Sequence, residues 1–367
     1  MKEIKRIGVL TSGGDCSGLN AVIRSVVLRA VQTYHWEVFG IYNSTNGLIS
    51  RPMQYKQLTV GDFDFPFARL GGTMLGTNNS GNPNLQMTDG VLSEISSEEV
   101  LNRFKKGVEE LRLDALIVIG GDGSMAIIGN YCAKTGISMI GIPKTIDNDA
   151  PATEYAVGFS TAVESVVDAM DRLASTARSH NRVMIVEVMG RGAGHLALET
   201  AIAGFADVCL IPEIPYTYEG IVKKLREVRQ SGRNYSLVTI AEGIEAPDGK
   251  HAYALNGKTF GGVSNIIADR LAKEEDNFNI RVTVLGHIQR GGDPNATDRM
   301  MASAYGVYAV DSLACGKTNQ VICYNNGKIE EKDLEYVLKV GNNPVDPNGF
   351  RVQAARGLGI YVGEEIK

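Results

Sequence analysis

Three stretches of the sequence pair a residue type with a spacing that suits phosphate chemistry. Thr145-Ile146-Asp147-Asn148-Asp149 puts two carboxylates in an otherwise neutral loop, and Gly120-Gly121-Asp122-Gly123-Ser124 and Gly13-Gly14-Asp15 are two similar glycine turns. A glycine turn that opens a helix lets backbone N–H groups approach a phosphate without side-chain obstruction. Phosphoryl transfer needs one carboxylate to take the proton of the attacking hydroxyl and another to hold Mg²⁺. The spacing gives Asp147 the hydroxyl and Asp122 the metal. Each piece also has a plainer reading, because a Gly-Gly-Asp turn can simply connect elements and aspartates often cap helices or make Asx-turns. The repetition of the turn favours function.

Cations follow the same logic. Arg182, Arg191, Arg281 and Arg290 flank or follow expected strands, with His287 beside the last. Guanidinium pairs bidentately with phosphate, so the group is read as an oxyanion cage. His180 and His195 are read as structural. Gly121-x-Gly123-x-x-Ala126 matches a dinucleotide fingerprint only loosely, and a P-loop is excluded because Ala252 and Asp311 stand where its leading glycine belongs. No Gly-x-Ser-x-Gly elbow or His-Glu-x-x-His motif occurs, so acyl transfer and zinc hydrolysis have no support.

The elements that would position these residues alternate along the chain. Apolar, β-branched runs at Ile7–Leu10, Val38–Tyr42, Ala115–Ile119, Ser138–Ile142, Val183–Val188, Val208–Ile211, Ser236–Ile240, Val282–Leu285 and Gln320–Cys323 read as strands covered on both faces. Helical patterns at Gly18–Tyr34, Glu98–Leu111, Phe159–Ala177, Tyr218–Arg229 and Val263–Lys273 lie between them. The expected fold class is α/β, with two doubly wound domains of mainly parallel sheets and an active site in the cleft between them. Ligands of such sheets sit beyond the carboxyl ends of the strands, where every stretch quoted above falls except Arg182 and Arg281.

The chain has 367 residues, 44% hydrophobic and 22% charged, enough for two packed cores. A net charge of -5 argues against a nucleic-acid binder. No apolar run is long enough for a membrane span, and the start suits no secretory signal. Five scattered cysteines without a CxxC pair are read as reduced thiols of a cytoplasmic protein.

In this order, Leu10–Asp15, Ile119–Ser124, Pro143–Asp149, Val186–Arg191 and Val284–Gly292 resemble the 6-phosphofructokinase family over nearly the whole chain. The pattern is closest to long bacterial forms that mix features of ATP-dependent and pyrophosphate-dependent enzymes. The resemblance implies phosphorylation of fructose 6-phosphate at O1 in glycolysis, with Mg²⁺. It implies that Gly14, Gly121, Asp122, Gly123, Ser124 and Lys144 bind the donor, with Asp122 on the metal. Asp147, Thr145 and Arg191 would be catalytic, Asp147 as general base. Thr145, Ile146, Asp147, Met189, Gly190, Arg191 and Glu242 would contact the sugar and the transferred group. Arg182, Arg281, His287 and Arg290 would grip the 6-phosphate, with Ile288 and Gln289 also in the substrate site. Residues matching Arg182 and Arg281 reach in from a neighbouring subunit in the family, so a homotetramer or homodimer is expected. Residues 1–157 with 289–340 are expected to bind the donor, and 158–288 with 341–367 the sugar phosphate.

The sequence departs from the family pattern at the donor. Pyrophosphate users carry aspartate at position 123; Gly123 leaves room for the α-phosphate of a nucleotide, which favours ATP. Lys144 is typical of pyrophosphate users but excludes neither donor. Asn79 stands where ATP enzymes place an arginine, and Lys144 is expected to compensate. Of the effector cations Arg24 matches in place and Arg233 is read as a survivor; Arg29 and Arg51 are each offset by one residue, and Ala174 and Asn234 occupy cation positions, so the familiar regulation is not expected. The alternatives are a pyrophosphate-dependent phosphotransferase, a silent nucleotide or sugar-phosphate sensor and, more distantly, a dinucleotide oxidoreductase. The presence of both Asp122 and Asp147 argues against the sensor.

Overall fold

Runs such as Ala-Leu-Ile-Val-Ile-Gly at Ala115–Gly120 are buried along their whole length, as central strands of a parallel sheet must be. The computed structural model describes residues 4–63, 66–78, 85–88, 91–94, 96–246, 262–274 and 278–364. Its strands are β1 (Arg6–Thr11), β2 (Glu37–Ile41), β3 (Tyr55–Leu58), β4 (Leu85–Thr88), β5 (Val91–Glu94), β6 (Ala115–Gly120), β7 (Ser138–Pro143), β8 (Arg182–Val188), β9 (Val208–Leu210), β10 (Ser236–Ala241), β11 (Asn279–Val284), β12 (Gln320–Asn325) and β13 (Lys328–Asp333). The helices are α1 (Leu19–Tyr34), α2 (Asn46–Ile49), α3 (Ser97–Glu110), α4 (Asp122–Thr135), α5 (Phe159–Ser179), α6 (His195–Ala203), α7 (Tyr218–Gln230), α8 (Val263–Glu274), α9 (Ala296–Ala314), α10 (Leu334–Val340) and α11 (Phe350–Gly357).

The chain divides into two compact units. The first holds Met1–Thr145, Ala150–Gly158 and Arg290–Asn342; the second holds Ile146–Asp149, Phe159–Gln289 and Asn343–Lys367.

In the first unit a seven-stranded sheet runs β13-β12-β7-β6-β1-β2-β3. Its five inner strands are parallel, and β3 and β13 close the two edges antiparallel. From β1 the chain leaves through α1 towards β2, whereas from β6 it leaves through α4 towards β7 on the other side. The switch point therefore falls between β1 and β6, where Thr11 lies beside Ile119, and the two glycine turns follow these strands. Such a switch point opens a crevice for a ligand. Leu10, Ile41, Phe104, Leu116 and Met139 anchor a core cluster in this unit.

The second unit has a four-stranded parallel sheet, β11-β8-β10-β9. Tyr361 bridges to Val208 and so covers the β9 edge with the C-terminal segment. β11 begins at Asn279, three residues before the expected Val282, so Arg281 lies inside the strand and Leu285 beyond it. Its half-exposed Asn-Ile-Arg-Val-Thr-Val pattern is that of an edge strand, whose polar first half carries no apolar run to mark the start.

Candidate functional site

Three neighbouring strand ends build the floor of the first unit's site. Ser12 donates its N–H to the Ile119 carbonyl at 2.9 Å, and Lys144 donates its N–H to the Gly120 carbonyl at 3.1 Å. The loops after β1, β6 and β7 thus lie side by side. Gly121 caps α4, and Asp122 is its first residue, so free N–H groups of the first turn and the positive end of the helix dipole face the same place. The Ser124 side chain lies between Gly13 and Gly120.

Two cations close on the first glycine turn. Buried Lys144 donates its ammonium to the Gly14 carbonyl. The Arg290 guanidinium covers Gly14 so closely that a Cβ there would stand 2.0 Å from Nη1 and push the arginine aside. The Arg290 Nε is buried and has no hydrogen-bond partner among the described residues. Residues 71–78 are stitched to the same turn: the Thr77 hydroxyl donates to the Gly13 carbonyl at 2.6 Å, and Thr11 donates to the Gly76 carbonyl at 2.7 Å. Asn20 holds that segment from α1, accepting from the Met74 N–H at 2.8 Å. Asn79 lies outside the described residues.

Around Gly123 the situation is reversed. It is exposed, and a Cβ there would meet nothing within 4 Å. Asp122 is also exposed.

The second unit joins three strand ends in the same way. Glu242 N–H donates to the Val188 carbonyl at 2.9 Å, Gly243 N–H to the Gly190 carbonyl at 3.2 Å and Leu285 N–H to the Glu187 carbonyl at 3.1 Å. Met189–Arg191, Glu242 and the turn at Gly286–Arg290 that carries His287 are therefore neighbours at one end of this sheet. A Cβ at Gly243 would stand 2.1 Å from the Arg191 carbonyl oxygen, so this approach requires glycine. Buried Gln289 ties two of the ends together. Its Oε1 accepts from the Met189 N–H at 3.1 Å, and its Nε2 donates to the Gly286 carbonyl at 2.9 Å. Buried Glu187 accepts from the N–H groups of Gly262 at 2.6 Å and Ser264 at 3.0 Å, fixing the start of α8. His287 and Ile288 are exposed, Met189 and Glu242 partly so, and Ile146 is buried.

One sequence expectation is corrected. The four arginines do not form one cage within a chain. Arg182 opens β8 and pairs in register with Asn279 at the start of β11, where Arg281 also lies. Met189–Arg191 and His287 follow the other ends of these strands. At roughly 3.3 Å per residue, Arg182 lies about 23 Å from Met189, and Arg281, level with Met184, about 17 Å. The expected strands Val183–Val188 and Val282–Leu285 already put Arg182 and Arg281 before their strands; the shared phosphate chemistry of the four arginines, not the strand positions, suggests one cage.

Three of the arginines weighed against the effector pattern make contacts within the chain. Arg29 pairs with Asp311 at 2.6 Å, Arg51 donates to the carbonyl of Leu48 at 2.7 Å, and Arg233 pairs with buried Asp207. His195 is buried with Nε2 2.9 Å from the Asn343 carbonyl, which ties α6 to the C-terminal segment. The bracing roles of Asn20, Thr77, Gln289 and Glu187 left no sequence signal, because each depends on a partner far away in the chain.

Among the described residues no helix is long and apolar enough to cross a membrane. Against known proteins, the phosphofructokinase family model matches residues 6–313. ATP-dependent 6-phosphofructokinase 1 of Synechocystis sp. is 46% identical over 369 residues, spanning all of both chains. ATP-dependent 6-phosphofructokinase 2 of Clostridium perfringens is 40% identical over 98% of this chain and 99% of its own. The phosphofructokinase structure from Saccharomyces cerevisiae superposes with a TM-score of 0.79 at 29% identity, over 91% of this chain; the chain spans 45% of that longer protein. A pyrophosphate-dependent phosphofructokinase from Marinobacter aquaeolei shares the fold at a TM-score of 0.76 and 20% identity, over 99% of this chain and 93% of its own. With its glycine turns at a switch point and a family match over most of its length, this chain belongs to the phosphofructokinase family.

Proposed function

We infer that the protein is an ATP-dependent 6-phosphofructokinase, converting fructose 6-phosphate and ATP to fructose 1,6-bisphosphate and ADP. The observation that carries the reading is full-length identity of 46% to a relative named for that activity. The donor choice is supported by Gly123, beside which a Cβ would meet nothing within 4 Å. A carboxylate there would occupy that space and repel an α-phosphate.

In this reading the first unit holds the donor. The α4 N-terminus, Gly14, Gly121, Gly123 and Ser124 would cradle its phosphates, and Lys144, already drawn to the Gly14 carbonyl, would neutralise the terminal group. Mg²⁺ fits the single exposed carboxylate Asp122, because this ion keeps several waters and takes its remaining ligands from phosphate oxygens. Bound there, it would offset charge on the donor phosphates.

The second unit would take the sugar phosphate. Asp147 would accept the proton of the 1-hydroxyl as that oxygen bonds to the γ-phosphorus and the bond to ADP breaks. Arg191 would stabilise charge on the transferred group, with Thr145, Ile146, Met189 and Gly190 beside it, and Glu242 would hold sugar hydroxyls. His287 and Ile288 would line the 6-phosphate end, with Gln289 setting the backbone of Met189. Arg290 would leave Gly14 to reach the same phosphate. Arg182 and Arg281 would come from a second copy of the chain, since one copy keeps Arg182 at the far end of β8 from Met189 and Arg281 level with Met184. A homodimer or homotetramer follows. A cytoplasmic setting fits the free thiols at all five cysteines.

The test is a coupled assay of fructose 6-phosphate turnover with ATP and with pyrophosphate, each with and without Mg²⁺. Turnover with pyrophosphate alone would replace this reading with the pyrophosphate-dependent one.

A further inference from the structure

Asp298 is fully buried in the first turn of α9, three residues after the capping Asn295, and the chemistry above does not use it. Its Oδ1 accepts from the Tyr155 hydroxyl at 2.6 Å and from the Gly158 N–H at 2.8 Å. The two contacts grip the chain on either side of Val157. Val157 is itself a backbone partner of the β7 end: its N–H donates to the Pro143 carbonyl and its carbonyl accepts the Thr145 N–H, both at 3.1 Å. The Cys16 thiol donates to the same carbonyl at 3.2 Å. Lys144 and Thr145 are thus held between two backbones, Gly120 on one side and Val157 on the other. The first is fixed by the sheet. The second is a single bridge outside any named strand, and Asp298 is what holds it from behind.

A buried carboxylate is a poor choice for stability alone, because an apolar side chain of similar volume avoids its desolvation. What it supplies is two short, directed contacts from one oxygen. We propose that Asp298 is a positioning residue that, through Tyr155 and Gly158, holds Val157 against Lys144–Thr145 and so aims these two residues at the terminal phosphoryl group of a nucleoside triphosphate. This deepens the phosphoryl-transfer reading and rests on it. A misplacement of about 1 Å in such a group costs on the order of a hundredfold in rate.

The experiment compares Asp298→Ala, which removes the accepting oxygen, Tyr155→Phe and the double variant in the full-length protein. Each single change lowers kcat with fructose 6-phosphate and ATP by at least about tenfold and moves the sugar KM by less than about twofold. The double variant falls within about twofold of the worse single one, because both changes release the same grip. Backbone amide exchange supplies a readout independent of activity: the Thr145 and Val157 amides lose protection while those of β1 and β6 keep theirs. If Asp298→Ala does not fold, Tyr155→Phe, which removes one hydroxyl, decides by the same exchange pattern. Wild-type kcat in the single variants, independent multiplicative losses, or protection lost across the whole sheet would each overturn the proposal. If the wild type does not turn over fructose 6-phosphate at all, the function reading fails, and the exchange pattern still judges the grip.

Discussion

Arg182 opens β8 and Met189 follows its last residue, so about 23 Å of extended chain separates two residues that one sugar phosphate would have to touch. Under the proposed function a second copy of the chain would resolve this, each supplying arginines to the other's site. Mixing Arg182→Ala protein with Asp147→Asn protein, each nearly inactive alone, then restores activity. With random exchange at equal amounts about half of the dimers are mixed and each has one intact site, so about a quarter of wild-type activity returns. No recovery after confirmed subunit exchange would place both residues in sites of one chain.

Gly123→Asp tests the donor. Like charges about 4 Å apart near a protein surface repel by up to about 4 kcal/mol, so ATP kcat/KM falls at least about a hundredfold while the sugar KM stays near its original value. The assay is ATP titration at saturating fructose 6-phosphate.

Lys144→Gly removes the ammonium from the Gly14 carbonyl. The ATP KM rises far more than the fructose 6-phosphate KM, as steady-state titration of each substrate would show. Equal effects would assign Lys144 to the shared backbone rather than to the donor.

The buried cysteines give a prediction independent of catalysis. Burial pushes the thiols of Cys16, Cys132 and Cys323 up to about 12 and that of Cys209 higher still. With only Cys315 exposed, a thiol reagent at pH 8 modifies one cysteine in the native protein and all five after denaturation. The unfolded chain ionises these thiols near 9 while the fold keeps them protonated. Each therefore draws stability down as pH rises from about 9 towards 12, and none affects stability below that window.

The inner strands and both glycine turns were legible in the sequence, because strands covered on two faces leave unbroken apolar runs and their turns need glycine. The edge strands were not. β3 is Tyr-Lys-Gln-Leu with three exposed residues, and β13 carries five charges in six positions; neither has an apolar run to find. The site was legible where chemistry follows a strand directly, as at Asp122, Lys144 and Glu242. It was illegible where a contact joins distant residues: Lys144 meets Gly14 across 130 positions, and Asp298 meets Gly158 across 140. The resemblance places Gln289 in the substrate site, but its bracing of Met189 and Gly286 through both halves of its amide carries no sequence signal.

The central claim is that Asp147 takes the proton of a sugar hydroxyl attacking ATP. Measured at saturating fructose 6-phosphate, ATP and Mg²⁺, Asp147→Asn lowers kcat by at least about a hundredfold while equilibrium binding of fructose 6-phosphate stays within about threefold of wild type. A variant that keeps near-normal kcat would contradict it.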